Sequence, residues 1–443
     1  MPLAHRQQPE VGRVEMSASH GAWYATVTRR RLALTAGLAA ILCVAQSCGG
    51  DASSGVTTPP VVTPVLTTIA IAGNGAALSV GRTLELTPTL RDQYGNAITA
   101  TLTWTSNSPS VATVSPLGLV TGVGVGTATI LASVGVVRGS ATISVTAPPV
   151  YVAGQAYFGR SNYIEYIAGN APVILTAPHG GALTPASIPD RTAVACGGAA
   201  TTVTDGNTAE LVRAMQQRFF AKFGTYPHIV ISNLSRRKLD PNRVQPEAAC
   251  GNAEAAAALE DWHGFIDAAK AAVLKASGKG WYMDMHGHGH TVQRLELGYL
   301  LTDAQVNLTD AALDLVPTYE SASGIYTLSQ VSPLSFSALL RGPTSLGTLY
   351  ATNGFPAIPS TSDPRPSGAD YFDGGDNTRR HTCGTNATPF GGVTNGNICG
   401  VQIESYFTGV RDNAANRDRF GDVTAIVLEQ YLRVHWGLRL SVP

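Results

Sequence analysis

Two apolar runs that end in histidine and glycine constrain the fold of this chain more than any other feature. Residues 173–177 read VILTA and lead into PHGG, and residues 280–285 read GWYMDM and lead into HGHGH. Short apolar runs bounded by turn residues indicate strands buried on both faces, as in the parallel sheets of α/β proteins. Each strand therefore delivers a histidine, His179 or His286, to one edge of a sheet.

Helical patterns alternate with these strands. A third strand is expected at 228–233, and a closing helix is expected at 424–438. Two further helices, one from Thr208 and one from near Asn252, place apolar residues three or four apart on one face: Leu211, Met215, Phe219, Leu259, Trp262, Ile266, Ala269 and Val273. The pattern predicts an α/β fold with a mixed, largely parallel sheet and flanking helices, and sites collect beyond the carboxyl ends of such strands.

This α/β unit is expected to occupy residues 151–443. Its segment 301–400 is richer in Gly, Pro, Ser and Thr, which predicts long loops that wall the pocket.

The N-terminus has the pattern of an export signal. Three arginines at 29–31 precede an apolar run at 32–45, and small residues surround Cys48. Residues 1–48 are therefore predicted to be a signal of the lipoprotein type, with Cys48 as the lipidated residue. The protein is expected in the cell envelope or outside the cell, with a lipid anchor as its only membrane contact. A Ser-, Thr- and Pro-rich linker follows at 49–66.

Residues 67–147 contain short β-rich runs separated by turn residues, which predicts an all-β sandwich. The stretches 104–114 (WTSNSPSVATV), 118–123 (GLVTGV) and 126–130 (GTATI) resemble the bacterial group 2 immunoglobulin-like domain. The resemblance implies a spacer or adhesive module that could contact a cell surface or polysaccharide.

Four cysteines lie outside the signal: Cys196, Cys250, Cys383 and Cys399. An even number in an exported protein predicts disulfides, and no Cys-x-x-Cys pair supports a zinc-thiolate site. Four cysteines allow three pairings. Pairing nearest neighbours in sequence gives Cys196–Cys250 and Cys383–Cys399.

Charge argues against a nucleic-acid partner. The formal net charge is zero and charged residues make up 14% of the chain. No extended basic patch is present to neutralise phosphates.

The two strand-end histidines suggest a metal centre. Catalytic zinc usually has three protein ligands, and imidazole is a common one. His179 and His286 would supply two, and Asp205, just before a helix, is the preferred third. Asp205 could instead cap that helix, but Thr208 could take the capping role. Glu210 is the alternative ligand.

Neighbouring residues are expected to support this centre. Asp284 lies two residues before His286 and could orient its imidazole. His288 and His290 are interpreted as pocket residues or as partners of the ligands, because further ligands at that spacing would crowd one ion.

Two further segments carry charged residues with possible roles at the site. The run 235–243 (SRRKLDPNR) ends a strand, and its Arg236 and Arg243 could bind a carboxylate in a bidentate manner, with Asn242 between them. A metal hydrolase also needs a group that moves protons, and Glu404 is the best-placed acid for this role.

Together these motifs resemble the N-formylglutamate amidohydrolase family, which is related to zinc carboxypeptidases. The resemblance spans nearly all of 151–443 and keeps the order of the motifs. It implies one zinc per chain held by His179, an acidic residue and His286, with Glu404 as general base. It also implies substrate binding by Arg236 and Arg243. The export signal departs from the cytoplasmic namesake enzymes, which leaves the substrate open.

The sequence thus predicts an exported zinc-dependent amidohydrolase that cleaves an amide near a free carboxylate. Its substrate would be an N-acyl amino acid or a short peptide. A cell-wall peptide amidase or carboxypeptidase is one alternative. The other is a non-catalytic surface binding protein on an Ig-like stalk.

Overall fold

The computed structural model describes residues 63–385 and 396–441. The predicted export signal, Cys48 and most of the predicted linker lie outside these residues. Within the described ranges, no helix combines the length and the apolar character needed to cross a membrane.

The first structural unit consists of short strands. These are β1 (Leu66–Ala72), β2 (Ala76–Ser79), β3 (Thr83–Glu85), β4 (Thr87–Asp92), β5 (Thr103–Ser106), β6 (Ala112–Val114), β7 (Leu119–Gly122), β8 (Gly126–Val134) and β9 (Val137–Thr146). They form a β2-β9-β8-β5 sheet, a β3-β7-β6 sheet and a β1-β4 pair. Alternate residues of β8 and β9, including Ile130 and Ile143, are buried, as expected of sheets that pack one face against a shared core.

The second unit alternates strands and helices. Its strands are β10 (Ala156–Phe158), β11 (Ile164–Ile167), β12 (Val173–Ala177), β13 (His228–Ser232), β14 (Gly280–Gly287), β15 (Leu295–Gly298), β16 (Ala357–Ile358) and β17 (Ile398–Ser405). Its helices are α1 (Ala193–Cys196), α2 (Thr208–Phe223), α3 (Ala253–Ser277), α4 (Asp303–Val306), α5 (Asp310–Asp314), α6 (Pro317–Ala322), α7 (Tyr326–Ser329), α8 (Phe336–Arg341), α9 (Leu346–Thr352), α10 (Asp376–His381) and α11 (Ala414–Trp436).

The eight strands form one sheet in the order β10-β11-β13-β12-β14-β17-β15-β16. The central strands β13, β12, β14 and β17 are parallel, whereas β10, β11 and β15 each pair antiparallel with a neighbour. The predicted α/β fold with a mixed, largely parallel sheet is confirmed.

Alternation along the central strands assigns each side chain to one of two cores. Leu175 and Met283 pack in the core that includes residues of α2 and α11, whereas Ile174 and Tyr282 pack in the core that includes residues of α3. Residues two apart share a face. His286, four residues after Tyr282, therefore lies on the α3 side at the carboxyl end of β14.

The segment 301–400 differs from the predicted long loops. Within its described residues it contains the seven short helices α4 to α10 and strand β16. The hydroxyl side chains that suggested loops instead cap helices: Thr302, Thr309, Ser335 and Ser345 each accept a hydrogen bond from a first-turn amide. Helix α11 begins at Ala414 rather than at Thr424, because the side chain of Asn413 caps it there.

Both predicted disulfides, Cys196–Cys250 and Cys383–Cys399, are present. The first ties the segment around α1 to the turn before α3. The second ties the segment after α10 to strand β17.

A fragment that begins at Pro149 is expected to fold without the β-rich unit. Arg82 donates a hydrogen bond to the Gly264 carbonyl (2.6 Å) and pairs with Asp267 at 3.5 Å, and both of these ionic side chains are more than one third exposed. Exposed pairs contribute at most about 1 kcal/mol. Calorimetry should therefore place the unfolding midpoint of the fragment within about 4 °C of that of the same unit in the full chain.

Full-length Arg82→Ala is the matched control and should show a similarly small shift. A fragment without a cooperative transition would mean that the α/β unit needs the β-rich unit to fold.

Candidate metal centre

Three predicted ligands meet at one point. The ligand atoms of His179, Asp205 and His286 all lie within 4.8 Å of one another. All three residues are buried, with exposures of 1%, 7% and 2%. Side chains separated by up to 107 residues in sequence thus form one cluster at the carboxyl ends of β12 and β14.

Close approach of the backbone brings His179 and Asp205 together. A side chain at Gly180 would collide with the amide nitrogen of Ala209 in the first turn of α2. Glycine therefore lets the turn after β12 touch the start of that helix. The amide of Asp205 donates to the carbonyl oxygen of His179 at 3.1 Å, which fixes the two residues side by side.

Neither Asp205 nor Thr208, the two residues expected to cap α2, occupies its cap position. The cap position is Asn207, which has a left-handed backbone (φ 65°) and makes no capping bond with its side chain. Its amide group donates instead to the Arg411 carbonyl at 2.9 Å, and the Thr208 hydroxyl donates to the Asp205 carbonyl at 2.9 Å. The carboxylate of Asp205 is therefore not used to cap the helix.

The two imidazoles direct the same nitrogen toward Asp205. Nδ1 of His179 and Nδ1 of His286 each lie 3.2 Å from Oδ2 of Asp205. On the opposite side of each ring, Nε2 of His179 is 2.7 Å from Oδ1 of Asp240, and Nε2 of His286 is 2.9 Å from Oδ2 of Asp284. A carboxylate behind each ring fixes its orientation and favours the tautomer in which Nδ1 carries the lone pair.

Each supporting carboxylate is itself held by further groups. Asp284, which was predicted to orient His286, accepts a hydrogen bond from the Thr176 hydroxyl at 2.5 Å. Asp240 was not predicted as a partner of His179. It also accepts from Nε of Arg236 at 3.0 Å and lies 3.6 Å from Arg191.

The electrostatics of the cluster favour an ionised Asp205. Burial alone would raise the pKa of this carboxyl group, but the imidazoles of His179 and His286 hold the pKa well below its usual range. Burial would lower the pKa of His286, and the carboxylates of Asp284, Asp205 and Glu404 raise it well above its usual value instead. Negative charge from these carboxylates is therefore concentrated around the buried ligand atoms, a setting that favours a cation.

The donor set fits a divalent metal ion. Two imidazole nitrogens and one carboxylate oxygen are the ligand types that suit zinc. Glu210, the alternative third ligand, is exposed on α2 and does not belong to this cluster.

Glu404 lies beside the cluster because of strand register. It is the Cα partner of His286 on the neighbouring parallel strand, and its Oε1 is 3.9 Å from Nδ1 of His286. Burial raises the pKa of Glu404 to about 7. The same oxygen accepts a hydrogen bond from Nε2 of Gln402 at 2.9 Å.

The predicted substrate-binding residues occupy different positions. Arg236 lies at the cluster, with its NH1 group 3.7 Å from Oδ1 of Asp205 in addition to its bond to Asp240. Nδ2 of Asn242 is 3.4 Å from Nε2 of His286. Arg243 donates to the Asn242 carbonyl at 2.8 Å and lines a pocket of about 230 Å³. That pocket is lined by Pro241, Arg243, Val244, Gln245, Leu259, His263, Asp376 and Arg380.

A second group with metal-ligand geometry comprises His288, His290 and Glu296. His288 and His290 were expected near the pocket, whereas Glu296 was not predicted. Glu296 is fully buried and is the Cα partner of Glu404 across β15 and β17.

Arg411 is a further residue that the sequence did not reveal. Its guanidinium donates to the carbonyls of Gly206, Ser405 and His288. A side chain at Gly287 would collide with it. Arg411 thus joins the starts of α2 and of the histidine-containing loop to the end of β17.

Comparison with known proteins identifies the β-rich unit. Residues 65–147 match the model of the bacterial Ig-like domain (group 2). A solved structure of domains 4 and 5 of the S-layer protein SbsC is 34% identical over 19% of this chain, with a TM-score of 0.18. This chain spans 54% of the length of that structure. The Ig-like domain and the two disulfides are consistent with an extracellular protein.

The α/β unit also has a solved neighbour. N-formylglutamate amidohydrolase from Ralstonia eutropha JMP134 aligns with 62% of this chain and 99% of that chain, at 12% identity and a TM-score of 0.34. No curated protein matches the chain.

Metal binding should depend on Asp205 and not on Glu210. Asp205→Asn, His179→Ala and His286→Ala each remove a ligand atom from the cluster, so each variant should lose most of the metal that the parent retains after dialysis. Glu210→Gln is the matched control, because it alters an exposed acid on the neighbouring helix and should leave the metal content unchanged. Elemental analysis of folded protein measures the difference.

Full metal content in Asp205→Asn would remove Asp205 from the ligand set. Loss of metal in Glu210→Gln would restore Glu210 as the ligand.

Proposed function

We propose that this protein is an exported, zinc-dependent amidohydrolase that cleaves an amide bond near a free carboxylate. The observation that carries the proposal is the position of Glu404 directly beside the buried cluster of His179, Asp205 and His286. A ligand set for a metal and an adjacent carboxyl group of raised pKa are the two components that metal-assisted hydrolysis requires.

His179, Asp205 and His286 would hold one zinc ion per chain. When bound, zinc acts as a Lewis acid that polarises a carbonyl group and stabilises developing negative charge. The chain keeps the ligands in place through Asp240 and Asp284, which hold the far side of each imidazole.

Glu404 is suited to move a proton. It would take a proton from the attacking water and return it to the leaving nitrogen, for which a pKa near the working pH is favourable. The pKa of about 7 applies to the site without a cation, and a positive charge nearby lowers the pKa of a carboxyl group. Glu404 would thus be ionised at neutral pH and ready to accept the proton.

Arg243 supports a substrate with a free carboxylate. It is partly buried, it directly follows Asn242 at the cluster, and it lines a pocket together with Arg380 and His263. A guanidinium in such a pocket can bind a carboxylate through paired hydrogen bonds. Arg236 bonds Asp240 through Nε, and its NH1 group lies 3.7 Å from Asp205, so it would bind substrate only through the rest of its guanidinium group.

The proposed location rests on the N-terminal sequence. The basic and apolar segment before Cys48 would direct export, and lipidation of Cys48 would anchor the protein. The Ig-like domain would then act as a spacer, or as a module that contacts a cell surface or polysaccharide.

Two other functions make different predictions. A cell-wall peptide amidase or carboxypeptidase would use the same residues on a longer substrate, so assays with peptides and with N-acyl amino acids distinguish the two. A non-catalytic surface binding protein would need neither a metal nor Glu404.

Glu404→Gln should keep its metal and its fold but lose at least about a hundredfold in turnover, the lower end for loss of a general acid–base group. The replacement has the same shape and can still accept the bond from Gln402. Steady-state kinetics on an N-acyl amino acid, with metal analysis of the same sample, tests this.

Glu210→Gln is again the control, because it makes the same chemical change at an exposed position. Near-normal turnover of Glu404→Gln would assign the proton transfer to another group.

Arg243→Ala should lower kcat/KM for an acid substrate by about tenfold or more and should affect the corresponding amide far less. Loss of a hydrogen bond to a charged group is worth about 1.5 to 3 kcal/mol. Arg237→Ala is the matched control on the same loop, since Arg237 is half exposed and pairs with Asp190. Equal cleavage of acid and amide by the parent would exclude a carboxylate-binding role for Arg243.

A further inference from the structure

A row of side chains continues across the sheet beyond the proposed metal ligands. His286 on β14, Glu404 on β17 and Glu296 on β15 are Cα partners in successive strands. Directly paired residues point to the same face of a sheet. Glu296 therefore lies on the same face of the sheet as His286 and Glu404, one strand beyond Glu404. It has no role in the proposed metal binding or proton transfer.

Glu296 is occupied by two donors. Its exposure is 0%, its Oε1 is 2.8 Å from Nδ1 of His290, and its Oε2 accepts from the Phe372 amide at 2.8 Å. A fully buried carboxylate with these two contacts fixes the imidazole of His290 in one orientation. The His290 ring also stacks on the ring of Phe372, with 4.7 Å between centroids and an interplanar angle of 19°.

The bond to Glu296 uses Nδ1 of His290, and the second ring nitrogen, Nε2, takes no part in it. The His290 side chain is 21% exposed, and Nε2 has no hydrogen-bond partner among residues 63–385 and 396–441. The loop that carries it leaves the cluster directly, because the amide of Gly287 lies 3.2 Å from Oδ2 of Asp205. An oriented imidazole with one available nitrogen thus lies at the solvent side of the row.

His288 holds this loop in place. Its Nε2 group donates to the Arg294 carbonyl (2.8 Å), and its Nδ1 accepts from the His290 amide (3.1 Å). Both ring nitrogens are therefore used in local contacts. This arrangement favours a structural role for His288 over ligation of a second metal by His288, His290 and Glu296.

We infer that His290 is a further catalytic residue, which donates a hydrogen bond from Nε2 to the substrate carbonyl oxygen as negative charge develops there, and that Glu296 is its positioning residue. The inference rests on the proposed amide hydrolysis. In the imidazolium form both ring nitrogens carry hydrogen, so Nδ1 can donate to Glu296 while Nε2 donates to the substrate. No covalent bond to His290 forms or breaks in this role.

The physical reason for such a donor is preorganisation. A hydrogen-bond donor held rigidly where charge develops stabilises the transition state more than the ground state, and removal of one such donor typically costs about 10² to 10³ in rate. The stack on Phe372 and the buried Glu296 provide that rigidity.

The test compares His290→Ala, Glu296→Gln and the double variant in the metal-loaded full chain. His290→Ala should lower kcat by about a hundredfold with little change in KM. Glu296→Gln should act through the same group, so the double variant should be no slower than His290→Ala alone.

Two readouts are independent of turnover. Metal content should remain at the parent level in all three variants. Calorimetric affinity for a phosphonate analogue, in which a tetrahedral phosphorus replaces the scissile carbonyl carbon, should fall in His290→Ala by about the same factor as kcat, whereas affinity for the cleavage product should change little. His435→Gln is the matched control, because Nε2 of this buried histidine on α11 donates to the backbone carbonyl oxygen of Thr344 (2.9 Å), far from the proposed donor in sequence, and the variant should leave every readout unchanged.

The outcomes separate the two proposals. Loss of metal in His290→Ala or Glu296→Gln would show that these residues hold a cation, which overturns the donor role. Unchanged kcat and analogue affinity in His290→Ala, with an active parent, would overturn the donor role and leave the proposed function intact. A metal-loaded parent that hydrolyses no acyl amino acid or peptide would refute the proposed function itself.

Discussion

The arrangement of this site depends on the cost of burying negative charge. Asp205, Asp240, Asp284, Glu296 and Glu404 are all buried at the carboxyl ends of the central strands or beside them. An unpaired buried carboxylate is unfavourable by several kcal/mol, so each needs a partner. Imidazoles, the guanidinium groups of Arg191 and Arg236, and backbone amides supply partners, and the three carboxylates nearest His286 still raise its pKa well above the ordinary value.

Strand register determines which of these buried side chains lie next to each other. Because β14 and β17 are parallel and in register, Asp284 pairs with Gln402 and His286 pairs with Glu404. A slip of one residue would move all these side chains to the opposite face. The apolar residues of both strands, which pack in the cores on the two sides of the sheet, hold the register. Packing of the core therefore determines the separation between the ligand and the proposed base.

The positions of the central strands and of several site residues could be predicted from local sequence. The strand-to-glycine junctions placed His179 and His286 at one edge of a sheet, and two-residue spacing suggested that Asp284 supports His286. The other residues that support the site could not be predicted, because their contacts join segments that are distant in sequence. Asp240 lies 61 residues from His179, and Arg411 lies 205 residues from Gly206. Glu296 resembles any acidic residue in an alternating strand until its neighbours across the sheet are known. The prediction of long loops in segment 301–400 was wrong because serine and threonine are common both in loops and at helix caps.

The Cys196–Cys250 disulfide has a consequence for where the protein can mature. It closes a loop with a sequence separation of 54 residues, and this loop contains Asp205, Arg236, Asp240 and Asn242. Closing a loop of this size restricts the unfolded chain, which reduces the entropy lost when those side chains converge. Thiols remain reduced in the cytosol and are oxidised outside it. With the proposed export, the disulfide that closes the loop carrying Asp205 and its neighbours would form only after translocation, so a precursor retained in the cell would lack it.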